Sequence, residues 1–157
     1  MDTPICEQLA SALQARGWMM ATAESCTGGM IAARCTDLSG SSNWFERGFV
    51  TYSNAAKTEM LGVPADLIAR HGAVSDAVAR AMAQGAVQRA PVQASVAVTG
   101  IAGPTGGTAD KPVGTVWLAW CVDGQLSSER RVFAGGRADV REATVQHALQ
   151  GLLARLK

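Results

Sequence analysis

Lys57 is one of only three lysines in the chain, with Lys111 and Lys157, and it stands just after the run Tyr52-Ser53-Asn54. A lysine whose pKa is lowered by partial burial can act as a general base toward a serine hydroxyl. A solvated lysine in the first turn of a helix is the alternative reading of the same position. Serines lie in two glycine-bearing junctions, Glu24-Ser25-Cys26-Thr27-Gly28-Gly29 and Ser39-Gly40-Ser41-Ser42, and a third glycine-dense segment spans 99–107. Cys26 beside Glu24 permits a second scheme, in which a thiolate attacks while Glu24 and Lys57 handle protons. A cysteine next to a helix start, however, more often packs than reacts. His71 and His147 are the only histidines, and both fall in helix-like segments. They read as capping or packing groups, which argues against a Ser-His-Asp triad.

In an open α/β sheet, ligands collect outside the carboxyl ends of the strands, where free backbone N–H groups and helix N-termini face an anion. The three glycine-bearing segments therefore fit a phosphate or carboxylate ligand. None contains a GK[ST] or a GxGxxG, so ATP hydrolysis and dinucleotide binding are disfavoured. Arg137 and Arg141 open the last helical segment, where positive charge opposes the macrodipole. An anionic ligand explains that placement, and so does a solvated or salt-bridged surface. The four tryptophans, Trp18, Trp44, Trp117 and Trp120, read as core or subunit-seam residues, with Trp44 the one expected nearest a ligand ring.

The elements that must hold these groups follow from periodicity. The spacing of Ile5, Leu9, Ala12 and Leu13 predicts a helix over 3–16 stopped by Gly17. A short apolar strand over 18–23, a glycine turn and a helix from Met30 come next. Residues 48–53 alternate and are rich in β-formers, with a following helix capped near Asn54. A short helix is expected over 64–70 and a longer one, capped by Ser75, over 76–89. Residues 94–99 form a buried strand that runs into the glycine-dense segment. Strands over 113–122 and 127–133 flank the hairpin signal Asp123-Gly124, and a helix over 138–155 closes the chain. Helices mixed with strands predict a three-layer α/β/α sandwich around a mixed sheet, as one domain over 1–157.

Composition narrows the function classes. With 14 Lys plus Arg against 13 Asp plus Glu the net charge is +1, which argues against DNA or an anionic membrane as partner. At 48% hydrophobic and 17% charged the chain can bury a core without a disulfide staple. Cys6, Cys26, Cys35 and Cys121 form no CxxC pair and no cluster with histidine, so neither a zinc site nor a disulfide framework is expected. No cleavage-site pattern or ~18-residue apolar run is present, and reduced cytoplasm is the expected compartment.

Five runs go beyond generic pattern: 22–29 (TAESCTGG), 48–54 (GFVTYSN), 72–75 (GAVS), 99–104 (TGIAGP) and 111–116 (KPVGTV). In that order and at those separations they resemble the CinA C-terminal domain family over essentially the whole chain. The resemblance implies a nicotinamide mononucleotide deamidase. Such an enzyme hydrolyses the carboxamide to nicotinic acid mononucleotide and ammonia, in pyridine-nucleotide recycling, with no metal and no cofactor. Carried onto this sequence, it implies Ser42 as nucleophile, with Ser25 as rival, Lys57 as general base and Tyr52 as an orienting or relay group. Thr99 and Arg141 would hold substrate or stabilise charge. The phosphate would fall to a region formed by Thr27, Gly28, Gly29, the loop with Gly100 and Gly103, and Arg141. Longer relatives carry an additional N-terminal domain not found in this sequence, so only the deamidase activity is expected here. The family pattern, with the Ala-rich and Trp-bearing faces, points to a homodimer. The competing reading is a noncatalytic nucleotide-binding module linked to competence or DNA-damage responses.

Overall fold

Residue size distinguishes the two faces of the central sheet. The computed structural model describes residues 4–157, so the helix start expected at Thr3 and the acidic Asp2 lie outside the described residues. Five strands are ordered β2-β1-β3-β4-β5, where β1 is Met20–Glu24, β2 Phe45–Val50, β3 Ala94–Gly100, β4 Thr115–Val122 and β5 Gln125–Val132. The first three run parallel and the last two antiparallel. One face carries Met20, Val96, Val98, Val116, Leu118 and Trp120, covered by α1 (Ile5–Arg16), α2 (Met30–Thr36) and α6 (Arg137–Arg155). The opposite face carries Ala21, Ala23, Ala97 and Ala119, covered by α3 (Asn54–Leu61), α4 (Ala65–His71) and α5 (Asp76–Arg89). The fold is a three-layer α/β/α sandwich around a mixed sheet.

Small side chains on that second face let α5 approach closely. Ser95 Oγ reaches across to donate to the Ala83 carbonyl at 2.7 Å. At Gly85, further along α5, a Cβ would stand 2.1 Å from the Leu61 carbonyl oxygen of α3, so only glycine fits. On the bulky face Trp120 donates its indole N–H to the Ala148 carbonyl of α6 at 2.9 Å, which satisfies its polar edge inside the core.

The hairpin forms as its sequence predicts: Asp123 and Gly124 take φ of 49° and 80°, as a two-residue type I′ turn requires. Several element bounds shift: the strand expected over 18–23 is Met20–Glu24, and that expected over 127–133 is Gln125–Val132. The strand expected over 48–53 begins earlier, at Phe45, because backbone pairing with Met20 and Ala21 recruits residues that show no alternation. It ends at Val50, with the Thr51 N–H donated to the Glu24 carbonyl at 2.8 Å, so Tyr52 leaves the sheet. The cap of α3 is Ser53, whose hydroxyl accepts from the Ala56 N–H at 3.0 Å, while Asn54 is already in the first turn. Trp44 is also corrected: it is buried in the bulky-face core and is not among the residues lining the pocket at the strand ends. Among the described residues no helix is long and apolar enough to cross a membrane.

Candidate active site

Three parallel strands end together, and the segments that leave them surround a cavity of ≈ 290 Å³. Its walls come from Ser25 and Cys26 after β1, Tyr52, Asn54 and Lys57 after β2, and Thr99 to Gly103 at the end of β3, with Arg137 at the start of α6. A larger cavity, ≈ 700 Å³, lies between α1, α2 and α6 but is lined by none of the candidate residues. Chemistry, not volume, selects the smaller one.

Lys57 is the unusual group. It sits one turn into α3 and its side chain is 1% exposed. Nζ lies 3.0 Å from Ser25 Oγ and donates to the Thr51 carbonyl at 3.1 Å. Burial lowers its pKa below the ordinary lysine value, because the charged form loses hydration that one carbonyl and one hydroxyl do not replace. Cys26 is close enough to favour the ammonium were it a thiolate, but burial pushes the Cys26 thiol up to about 11. At neutral pH it is an uncharged thiol and lends no support to a positive charge. An uncharged thiol is a poor start for the thiolate scheme.

Glu24 has no part in that scheme either. It is fully buried, and its carboxylate accepts from Thr27 Oγ1 at 2.5 Å and from the Ile31 and Ala32 amides at 2.8 and 3.0 Å. With Met30 N–H bonded to the Thr27 carbonyl, the first amides of α2 are satisfied. A carboxylate at a helix N-terminus is also favoured by the macrodipole. Glu24 thus fixes the turn that presents Ser25. Glu24→Ala is expected to destabilise the protein by about 3 kcal/mol, by stranding a buried amide, a part-buried amide and a buried hydroxyl. Urea unfolding followed by circular dichroism measures this, and a loss of less than about 1 kcal/mol would contradict the role.

The structure gathers some of the expected site residues and disperses others. Ser25, Lys57, Tyr52, Thr99, Gly100 and Gly103 all line the pocket. Thr99 is held by donating Oγ1 to the Ala73 carbonyl at 2.9 Å. Tyr52 is 61% exposed at the mouth, and its hydroxyl accepts from Arg137 rather than meeting Ser25 or Lys57. Ser42 is the main correction. It lies exposed in the single 3-10 turn Ser41–Asn43 that precedes β2, whereas Lys57 lies beyond the opposite end of that strand. A strand's length therefore separates this hydroxyl from the amine. Thr27, Gly28, Gly29 and Arg141 are also not pocket walls. Thr27 is tied to Glu24, Gly28 and Gly29 make the turn into α2, and Arg141 donates to the Cys26 and Thr27 carbonyls at 3.1 and 3.2 Å. Arg141 holds the serine loop, and the arginine at the pocket is Arg137. His147 pairs with Glu129 at 2.7 Å, and neither histidine lines the pocket.

The CinA C-terminal domain family model matches residues 2–156. The chain belongs to that family. Among CinA-related proteins, the nicotinamide-nucleotide amidohydrolase PncC of Escherichia coli K12 is 52% identical over 147 residues, covering 93% of this chain and 89% of that protein. The Pseudomonas putida protein of the same name is 52% identical over 151 residues, covering 96% and 94%. A CinA-like protein of Akkermansia muciniphila is 55% identical over 134 residues, and the match takes in 85% of this chain but only 32% of that longer protein. Among solved structures, the competence damage-inducible protein A of Klebsiella pneumoniae superposes with a TM-score of 0.93 at 41% identity, covering 97% of this chain and 94% of that one. The Agrobacterium tumefaciens protein CihA superposes with a TM-score of 0.91 at 45% identity over the whole of both chains.

Proposed function

We propose that this protein is a nicotinamide-nucleotide amidase that converts nicotinamide mononucleotide to nicotinic acid mononucleotide and ammonia, with Ser25 as nucleophile and Lys57 as its general base. The observation that carries the reading is the 3.0 Å approach of a buried lysine amine to Ser25 Oγ in a pocket at the carboxyl ends of the parallel strands. The relatives named for this activity, at 52% identity over nearly their full length, support the substrate.

The geometry supports the following steps. Neutral Lys57 takes the Ser25 hydroxyl proton as Oγ attacks the carboxamide carbon, and the Thr51 carbonyl, accepting one N–H, keeps the amine aimed. The tetrahedral oxyanion is stabilised by backbone N–H groups of the serine turn, an interaction whose loss typically costs about 3 kcal/mol of barrier. The Lys57 ammonium then returns its proton to the departing nitrogen, which leaves as ammonia. A water, deprotonated by Lys57, cleaves the Ser25 ester, and the serine recovers its proton as the acid is released. Amide and water are consumed, and acid and ammonia are formed.

The reading takes the protein as a cytoplasmic homodimer, and light scattering at micromolar concentration checks the assembly. Enzyme-coupled detection of ammonia tests the activity, with nicotinamide mononucleotide, free nicotinamide and the dinucleotide as parallel substrates. Turnover of the mononucleotide is expected, unaffected by chelator. Tight mononucleotide binding without ammonia would instead establish a noncatalytic binding module, and preference for free nicotinamide would make it a different amidase.

A further inference from the structure

We propose that Arg137 is the phosphate-recognising residue of this site, and that its charge makes the enzyme select a phosphorylated pyridine nucleotide over the matching nucleoside. The inference rests on the amidase reading above and supplies the binding determinant which that reading leaves unassigned.

The pocket is built for an anion. No aspartate or glutamate is among its lining residues, and its two cationic side chains are Lys57 on the floor and Arg137 at the mouth. The working form of Lys57 is uncharged, so Arg137 is the fixed positive charge that a substrate meets. Its guanidinium donates to the Gly103 carbonyl at 2.8 Å and to the Tyr52 hydroxyl at 3.0 Å. Both acceptors are neutral. These bonds orient the group across the mouth without cancelling its charge, and among the described residues no salt bridge involves it.

Arg137 is also the first residue of α6, a 19-residue helix. Its positive charge therefore adds to the positive end of the macrodipole, an arrangement that is unfavourable in the empty protein. Asp139 offsets part of this by accepting from the Gly136 N–H at 2.9 Å. A bound phosphate would meet both the guanidinium and the dipole, and guanidinium–phosphate pairing is the stronger, charge-assisted kind. Arg141, one turn further along α6, is occupied by the carbonyls of Cys26 and Thr27 and cannot take the same role without releasing the serine loop. A mononucleotide carries its amide and its phosphate at opposite ends of the ribose, which matches a reactive floor and a cationic mouth.

The test compares nicotinamide mononucleotide with nicotinamide riboside on the wild-type protein, Arg137→Gln and Arg137→Lys. Arg137→Gln is expected to lower kcat/KM for the mononucleotide about 10- to 100-fold, mainly through KM. The riboside should change by less than about two-fold, so the preference collapses, and Arg137→Lys should retain part of it. Equal losses for both substrates, or no loss for either, overturn the proposal. Arg137 is exposed, so the variants should keep the wild-type melting temperature. Were the wild-type protein to release no ammonia at all, the amidase reading would fail, yet calorimetry would still decide the arginine's role. Mononucleotide binding weakened in Arg137→Gln relative to riboside binding supports it, and unchanged or absent mononucleotide binding overturns it.

Discussion

Ser25→Ala is expected to lower ammonia release from nicotinamide mononucleotide by ~10³-fold or more, while Ser42→Ala leaves it within about two-fold of wild type. The size of the first effect follows from covalent catalysis: with the hydroxyl gone there is no ester to form, and what remains is the contribution of binding and of backbone N–H groups to attack by water. Ser25 Oγ has the Lys57 amine as its hydrogen-bonding partner, so its removal disturbs little of the fold. The melting temperature and the affinity for mononucleotide should therefore survive. Ser42 is exposed before β2, and its truncation touches no pocket wall. Single-turnover assays on both variants separate the cases. A dead Ser42→Ala beside an active Ser25→Ala would reverse the assignment of nucleophile.

Lys57→Met should abolish turnover by a comparable factor and at the same time raise stability at neutral pH. Methionine keeps the volume of the side chain and discards the amine, so the buried space stays filled without an ionisable group inside it. In the wild-type protein the folded-state pKa of Lys57 lies below its unfolded value of about 10.5, so the unfolded chain binds more protons. Below the folded-state pKa the whole of this penalty is present. It is relieved as pH rises from that value toward 10.5. The gain in melting temperature for Lys57→Met should accordingly be largest below the folded-state pKa and shrink as pH rises toward 10.5. Activity carries the same signature. The rate should climb with pH as Lys57 loses its proton, with a midpoint below that of a free lysine, and Lys57→Met should lack this limb. Differential scanning calorimetry and pH–rate profiles measure both. A variant less stable than wild type, or an unmoved acidic limb, would count against a desolvated base.

Much of this arrangement is legible in the sequence, because the signals are local. The Asp123-Gly124 hairpin and the Ser75 cap each act over a few residues, and each appears where its chemistry predicts. Lys57 stands out by scarcity, and its place after a strand puts it near a strand's carboxyl end. The choice between Ser25 and Ser42 depends on which end of the sheet each occupies. Ser25 follows a strand and Ser42 precedes one, so the rule that ligands gather beyond carboxyl ends favours Ser25 without any coordinates. The resemblance to the family pattern points instead to Ser42. Arg137 and Arg141 share a sequence signature, four residues apart at a helix start, and only tertiary packing shows that one meets the pocket and the other meets backbone. The burial of Trp44 likewise comes from tertiary packing, in a core cluster drawn from segments distant in sequence. The early start of β2 depends on pairing with β1, which no run of alternation at 45–47 records.

Arg137 and Arg141 are separated by one helical turn, about 6 Å along the axis of α6. One grips the rim of the pocket through Gly103 and Tyr52, and the other grips the strand-end loop that carries Ser25. Both belong to one continuous 19-residue helix, which packs on the core through Val140, Val145, Leu149 and Leu152. A shift of this helix would move both contacts together, so a change engineered to widen the entrance by tilting it would be felt at Ser25 as well.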